Sequence, residues 1–518
     1  MTTSCTGQPG AADASTKPAS ATTNDADTAP ELPSTQNKHR CSTKKLAAEI
    51  NQVRTQGKNT VRKSAAFLHS NAEQLAQYGS VEDLAAAELD EDALARASAF
   101  HLTSIRAELA RELWSCRAFL GPETLDRLLY RAVAVDRAED PVLRCLEIVR
   151  DRQLARPGMV VFPVHSFGLL AGGLLRFRTT KSWIFSPAGS GIVLFPQTNR
   201  WSRTRETLDA VRSALGVRKS LPLELLEHWR RSRPVGWLER NPIMVIAIST
   251  APGSYYDTEP LVLGRLRAAS ALACLLAAVQ PPNNVRSGYL FSSARTNNQE
   301  TLDIHHDLNL YDSPADRRAL DGDCVPIGLR KAALAEISEL NIEIHPRYWT
   351  RHRSFAEAAR EAVDVVYDGY MRHALLRRPA AKPDALSKAY TKLHDALTYF
   401  RRSFHESDEG WSQIVSLAVA FEMMLTDGTN TGAIAAKLQR RTRLLLRGRP
   451  GVLGYAQAVH DLYKQRNGVV HAGVVTSGTD LAQVRRCFAL CFVELARRSA
   501  LLAPSAEEPM RELIGDTA

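Results

Sequence analysis

Apolar positions fall at helical spacing over much of the chain. The clearest case is Leu481 to Leu502, where Val484, Cys487, Phe488, Cys491, Phe492 and Leu495 recur at steps of three and four. That period puts all six on one stripe of an α-helix. Trp411, Ile414, Ala418, Phe421 and Leu425 repeat the pattern and predict a helix over 411–425, ended by Asp427-Gly428-Thr429-Asn430. Further helices are expected over 386–404, 433–446 and 454–471. Amphipathic helices joined by short loops must bury their stripes against one another, so 384–505 is predicted to be an all-α helical bundle.

The same periodicity runs through 43–152, as in Leu102, Ile105, Leu109 and Leu113, and predicts a helical accessory region. Ser80, with Asp83 three residues on, reads as a capped helix start. Residues 1–42 are rich in Ser, Thr, Ala, Asp and Pro, and no aromatic residue precedes Phe67. Such a segment buries too little apolar surface to offset its ordering entropy and predicts a disordered tail.

At Pro157 the pattern changes. Short β-branched and aromatic runs at 159–164, 182–185, 192–195 and 243–248 read as strands. Helices are expected at 203–215 and 259–279, the second stopped by Pro281-Pro282. The fold class expected is therefore multidomain, with a central α+β domain over 157–350 between two helical parts. A helical connector follows at 354–376, and two prolines mark a linker ending at Asp384.

Composition adds limits. The 518 residues carry a net charge of +10 and are 44% hydrophobic, so sizeable cores and an acidic partner such as nucleic acid are both feasible. The eight cysteines are scattered without a Cys-x-x-Cys pair, which suits a reducing compartment, and Cys487 and Cys491 fit small core residues. The N-terminus has no apolar run of a secretion signal, and the longest uncharged apolar stretch, Ala268 to Val279, is too short to span a bilayer. A cytoplasmic protein with no membrane association is expected.

Phosphate loops, dinucleotide fingerprints and nucleophile elbows are absent from the sequence. Asp303-Ile304-His305-His306-Asp307 has metal-ligand residue types, but adjacent ligands rarely converge on one ion, so a surface loop is expected there. Ala188-Gly189-Ser190-Gly191 precedes a strand rather than a helix and reads as a turn. No metal and no cofactor is expected.

One strip carries candidate chemistry: Tyr463-Lys464-Gln465-Arg466-Asn467-Gly468-Val469-Val470-His471-Ala472-Gly473. An Arg followed five residues later by His also occurs at Arg96/His101 and Arg347/His352, so that spacing alone does not single it out. Its setting does. Asn467 directly follows Arg466, and Tyr463, Asn467 and His471 are four apart and share a helix face. Val459, Leu462 and Val469 supply an apolar side, and Gly473 a stop. RNA can be cut without a metal if the 2′-hydroxyl loses a proton and the leaving 5′-oxygen gains one. Histidine suits that proton traffic, and a fixed guanidinium suits the charge that develops on phosphate. Arg466, Asn467 and His471 are thus the candidate catalytic residues.

The stretch from about Leu386 to Leu502 resembles a HEPN domain, most closely the branch at the C-terminus of ApeA-like phage-defence proteins. The resemblance lies in Leu417 to Leu425, Lys437 to Leu446, and Leu462-Tyr463 leading into Arg466-Asn467 and His471-Ala472-Gly473; Ala472 stands where His-Gly would be contiguous. It implies a helical bundle that dimerises, bringing two strips to one cleft, and a homodimeric, metal-independent endoribonuclease serving a prokaryotic defence or toxin system. It also implies a supporting role for Glu422, orienting Arg466 or His471; Tyr463 is a second supporting candidate. Lys437, Arg440, Arg441 and Arg443 are the candidate RNA-binding residues, since 386–502 holds 16 Lys and Arg against 9 Asp and Glu. The alternative is a non-catalytic RNA-binding or dimerisation module. A third reading places an unrecognised activity in the central region.

Overall fold

The computed structural model describes residues 59–115, 119–155, short strand segments from 157 onward, 255–281, single positions from 340 to 349, and then 352–377, 382–405, 410–428, 433–472 and 480–517. The tail expected at 1–42 lies outside the described residues, as do the turn at 188–191 and the helix at 203–215.

The N-terminal part is helical as its periodicity requires. A helix over 59–70 (α1) is followed by Ala72–Ala76 (α2), Val81–Leu89 (α3), Ala93–Ser115 (α4), Pro122–Tyr130 (α5) and Pro141–Ala155 (α6). Ser80 caps α3: its hydroxyl accepts the Asp83 backbone N–H at 3.1 Å and donates to the Asp83 carboxylate at 2.6 Å. That satisfies one of the orphan donors of the first turn. Leu102, Ile105, Leu109 and Leu113 are all buried, against Leu68, Leu84 and Leu129. Pro122 opens α5, where its missing N–H costs nothing.

The expectation of a central α+β domain is corrected. Strand segments do occur: Pro157–Pro163 (β1) pairs antiparallel with Ile243–Ser249 and with Asp307–Asp312. Yet no residue of described burial lies in a strand, and the described residues are helical overall. The burial described in this region lies mainly on a helix. The long helix Tyr255–Val279 (α7) buries Ala269, Ala271, Leu272, Ala273, Cys274, Leu275 and Leu276, so over that stretch it is apolar nearly all round. Such a helix needs cover on several sides: it packs against helices of the C-terminal part and also touches the strand segments Ile243–Ser249 and Glu343–Ile344. Leu340, Ile342 and Trp349 join the same core. The short β-branched runs were legible as strands, but α7 could not be assigned to its cover from local pattern.

That core is shared with the C-terminal bundle. Its helices are Arg353–Tyr370 (α8), Ala385–Arg402 (α9), Gly410–Leu425 (α10), Ile434–Leu445 (α11), Val452–Ala472 (α12), Leu481–Ser499 (α13) and the short Pro509–Ile514 (α14). Five of them fall within three residues of the predicted bounds; α14 was not foreseen. Asp384 and Asp480 cap α9 and α13, each accepting a backbone N–H three residues on. Phe400, Phe421 and Phe488 are fully buried, with Phe400 stacked on Phe488 at 4.2 Å and Phe421 edge-on to it at 5.5 Å. Cys487 and Cys491 are buried, as their register predicts, whereas Trp411, at 46% exposure, leaves the α10 stripe.

Among the described residues, Trp114 and Phe119 join the N-terminal helices to this core. Trp114 at the end of α4 donates its indole N–H to Asp368 of α8 at 2.8 Å. Arg265 of α7 lies 5.3 Å from the Trp114 ring and 5.1 Å from the Tyr367 ring. Gly264 permits the contact, because a Cβ there would stand 2.0 Å from the Tyr367 hydroxyl. Among the described residues no helix is long and apolar enough to cross a membrane.

Candidate functional site

The strip lies on the last turns of α12, and its apolar side anchors it. Val459, Leu462 and Tyr463 are buried, and Val469 is half-buried. This fixes the rotation of α12 and decides what the polar residues face. Arg466 is half-buried; Asn467 and His471 are exposed. Arg466 Nη1 donates to Asn467 Oδ1 at 3.2 Å, and its guanidinium lies 5.6 Å from the Tyr463 ring centroid. The structure thus brings Arg466, Asn467 and Tyr463 together. His471 stands one turn beyond. On an ideal helix, five residues correspond to a rotation of roughly 140° relative to Arg466.

Glu422 of α10 completes a polar seam between helices. Burial pushes the Tyr463 hydroxyl above its ordinary pKa, and the facing Glu422 carboxylate adds to this while Arg466 opposes it. Lys392 of α9 is a further member. Burial holds its ammonium below the usual lysine range, against the pull of Asp427, Asp395 and Glu422. Two atoms of the seam are buried without a hydrogen-bond partner among the described residues: Glu422 Oε1, an acceptor, and Arg466 Nε, a donor. Buried polar atoms are nearly always paired, with protein or with water, so these two atoms of opposite type leave hydrogen-bonding capacity in the seam.

Lys392 and Glu422 both occupy positions where their helices' apolar period calls for a hydrophobic residue. Lys392 is three after Ala389 and four before Ala396; Glu422 is four after Ala418 and three before Leu425, and these four neighbours are buried. A charge inside the stripe was the signal for Lys392, which the reading of the strip alone passed over.

The basic helix α11 divides. Arg443 is exposed and Lys437 half-buried, both open to a backbone phosphate. Arg440 is exposed but pairs with Asp516 at 2.7 Å. Arg441 is buried, and this corrects its assignment as an RNA contact. Its Nε donates to Asp516 at 2.8 Å, its Nη1 donates to the Leu425 carbonyl at 2.6 Å, and Asp427 lies 3.6 Å away. Asp427 in turn accepts the backbone N–H groups of Met510 and Arg511 and so caps α14 from 83 residues away.

The histidines of the other two Arg/His spacings both pack on aromatic rings. His101 packs on Phe67 and has Nδ1 3.0 Å from the Ser64 hydroxyl; burial lowers its pKa. His352 precedes α8 and packs on Tyr348 at 4.2 Å. Among the described residues no cluster of His, Cys, Asp and Glu could hold a metal ion. Of the 303–307 cluster only Asp307 is described, in a strand.

Comparison with known proteins returned no matching family model, curated protein or solved structure.

Proposed function

We propose that the chain is a HEPN-type, metal-independent endoribonuclease whose active site is the α12 strip, acting as the effector of a prokaryotic defence or toxin system. The observation that carries this reading is the seam. A half-buried guanidinium, braced by Tyr463 and Asn467, sits with a free Nε beside a carboxylate with a free Oε1, and an exposed histidine follows on the same helix.

In this reading His471 takes the proton from the RNA 2′-hydroxyl, whose oxygen forms a bond to the adjacent phosphorus. The bond from phosphorus to the 5′-oxygen breaks, and that oxygen takes up a proton. The products are a 2′,3′-cyclic phosphate and a 5′-hydroxyl. Arg466 neutralises charge on the non-bridging oxygens. One strip has one exposed histidine, and the step needs a base and an acid, so the site is composite across a two-fold homodimer. Lys437 and Arg443 hold the RNA backbone.

The test is cleavage of RNA by the purified chain in chelator. Products ending in 2′,3′-cyclic phosphate, lost in His471→Ala, support the reading. Products with 3′-hydroxyl ends, or cleavage that needs a divalent ion, overturn it. A second reading has its own support: the Arg466–Asn467 bond and the Tyr463 contact also brace α12, as a non-catalytic RNA-binding or dimerisation module requires. Saturable RNA binding without cleavage would select it.

A further inference from the structure

Glu422 of α10 and Arg466 of α12 border the same side chain, Tyr463, yet no ion pair joins them. A side-chain hydrogen bond links Glu422 to the Tyr463 hydroxyl, and the Arg466 guanidinium lies 5.6 Å from the ring centroid. Glu422 Oε1 and Arg466 Nε are both without a hydrogen-bond partner among the described residues. We propose that Lys392 of α9 is a positioning residue that keeps the two apart: its ammonium draws the Glu422 carboxylate, so the Arg466 guanidinium stays available to a phosphate. The bearing on cleavage rests on the ribonuclease reading; the effect on Arg466 does not.

Opposite charges around one half-buried seam attract strongly, because little water screens them. Their separation therefore needs a cause on each side. On α12, Asn467 Oδ1 accepts from Arg466 Nη1 at 3.2 Å, and the Tyr463 ring holds the guanidinium from the preceding turn. On the other side stands Lys392. It lies between the buried Ala389 and Ala396 on the apolar stripe of α9, which packs against α10. A long stem lets a lysine cover apolar surface and still carry its charge to a polar seam.

Lys392 faces three carboxylates, Asp427, Asp395 and Glu422. Two of them are engaged elsewhere. Asp427 accepts the backbone N–H groups of Met510 and Arg511. Asp395 lies 3.3 Å from His394 Nδ1. Glu422 keeps one oxygen without a partner, so the lysine's charge acts on it with the least competition. Without that charge, Arg466 is the nearest described cation bordering Tyr463 on the α12 side, and Glu422 would turn to it. A guanidinium held on a carboxylate has its paired N–H donors filled and cannot offer them to a phosphate.

The test is the rate at which phenylglyoxal modifies Arg466 in the full chain, read by peptide mass mapping. The reagent attacks a guanidinium that is not held on a carboxylate. Lys392→Met should slow the modification at least about threefold, as capture by an ion pair of modest strength would. Lys392→Arg keeps the charge and should react like the parent. Lys392→Met combined with Glu422→Gln should return to the parent rate or exceed it, because Glu422 no longer carries a charge to capture Arg466. A merely structural lysine would not be rescued by a change on another helix. Lys392→Gln replaces the methionine variant if that does not fold. Cleavage is the second readout: kcat should fall at least about tenfold in Lys392→Met, and no further when Lys392→Met is added to Glu422→Gln. The expected modification pattern in a chain that cuts no RNA supports the positioning role and overturns the ribonuclease reading alone. An unchanged Arg466 rate in Lys392→Met, or a rate that stays slow in the double variant, overturns the proposal.

Discussion

Arg441 and Asp516 form an ion pair at 2.8 Å with both side chains almost sealed from water. They are 75 residues apart, and the pair joins α11 to the end of the chain beyond α14. Removing one partner of a buried pair leaves the other charge uncompensated, which costs far more than the pair contributes when intact. Asp516→Ala should therefore destabilise the folded chain by about 3–5 kcal/mol in denaturant unfolding. Asp516→Leu combined with Arg441→Met removes the buried pair and should recover part of that loss, since Arg440, Asp427 and the Leu425 carbonyl each lose a partner. A single variant within experimental error of the parent would show that the pair carries no weight.

Cys145 and Cys274 are buried, and burial pushes both thiols up to about 12. The thiolate is the reacting form, so at about pH 8 each is populated to roughly one part in ten thousand. Iodoacetamide followed by peptide mass mapping should leave both unmodified in the native chain and modify both after denaturation. Equal labelling in the two states would contradict the packing of α6 and α7.

The bundle was legible because its information is local. Each of Val484, Cys487, Phe488, Cys491, Phe492 and Leu495 names its own face, and all six are buried. The strip's register was legible for the same reason: Val459 and Leu462 went inward and left Asn467 and His471 exposed. What failed was long-range. Arg441 looked like one more surface arginine, because its partner Asp516 lies 75 residues away. Lys392 meets Glu422 only when α9 and α10 are packed. From Ala268 to Val279 helix α7 is apolar nearly all round, so its own sequence does not say which elements cover it. The α+β assignment followed the nearby strand runs and missed that α8, α9 and α13 surround α7.

Acid should weaken this fold through its histidines. His373 is stacked near Tyr390, and burial holds its pKa below the ordinary 6.5; Arg372 and Arg111 add to this, and Asp384 and Asp368 oppose it. The unfolded chain then binds the proton more readily than the folded one. The stability contribution is full above the unfolded value of 6.5 and is lost as pH falls through the folded value. The melting temperature should drop between about pH 7.5 and about pH 5.5, and His373→Phe should reduce that drop. A drop of the same size in the variant would assign the acid sensitivity elsewhere, for example to His101, which burial shifts in the same direction.

The ribonuclease reading separates residues that act on the reacting phosphate from residues that hold the RNA, and kinetics can tell them apart. His471 is exposed and Arg466 half-buried, so replacing either with alanine should cost little stability. If they act in the transition state, each variant should lower kcat by roughly 10²–10⁴ with KM nearly unchanged. On α11, Arg443 is exposed and Lys437 half-buried. Arg443→Gln and Lys437→Gln should raise KM, leave kcat alone, and flatten the salt dependence of binding. Glu422→Gln keeps the shape of the seam and removes one charge beside Tyr463 and Lys392. Its expected effect is on kcat, with the melting temperature held. An equal rise in KM for all five variants, with kcat intact, would place the strip among RNA-binding surfaces and remove its catalytic role.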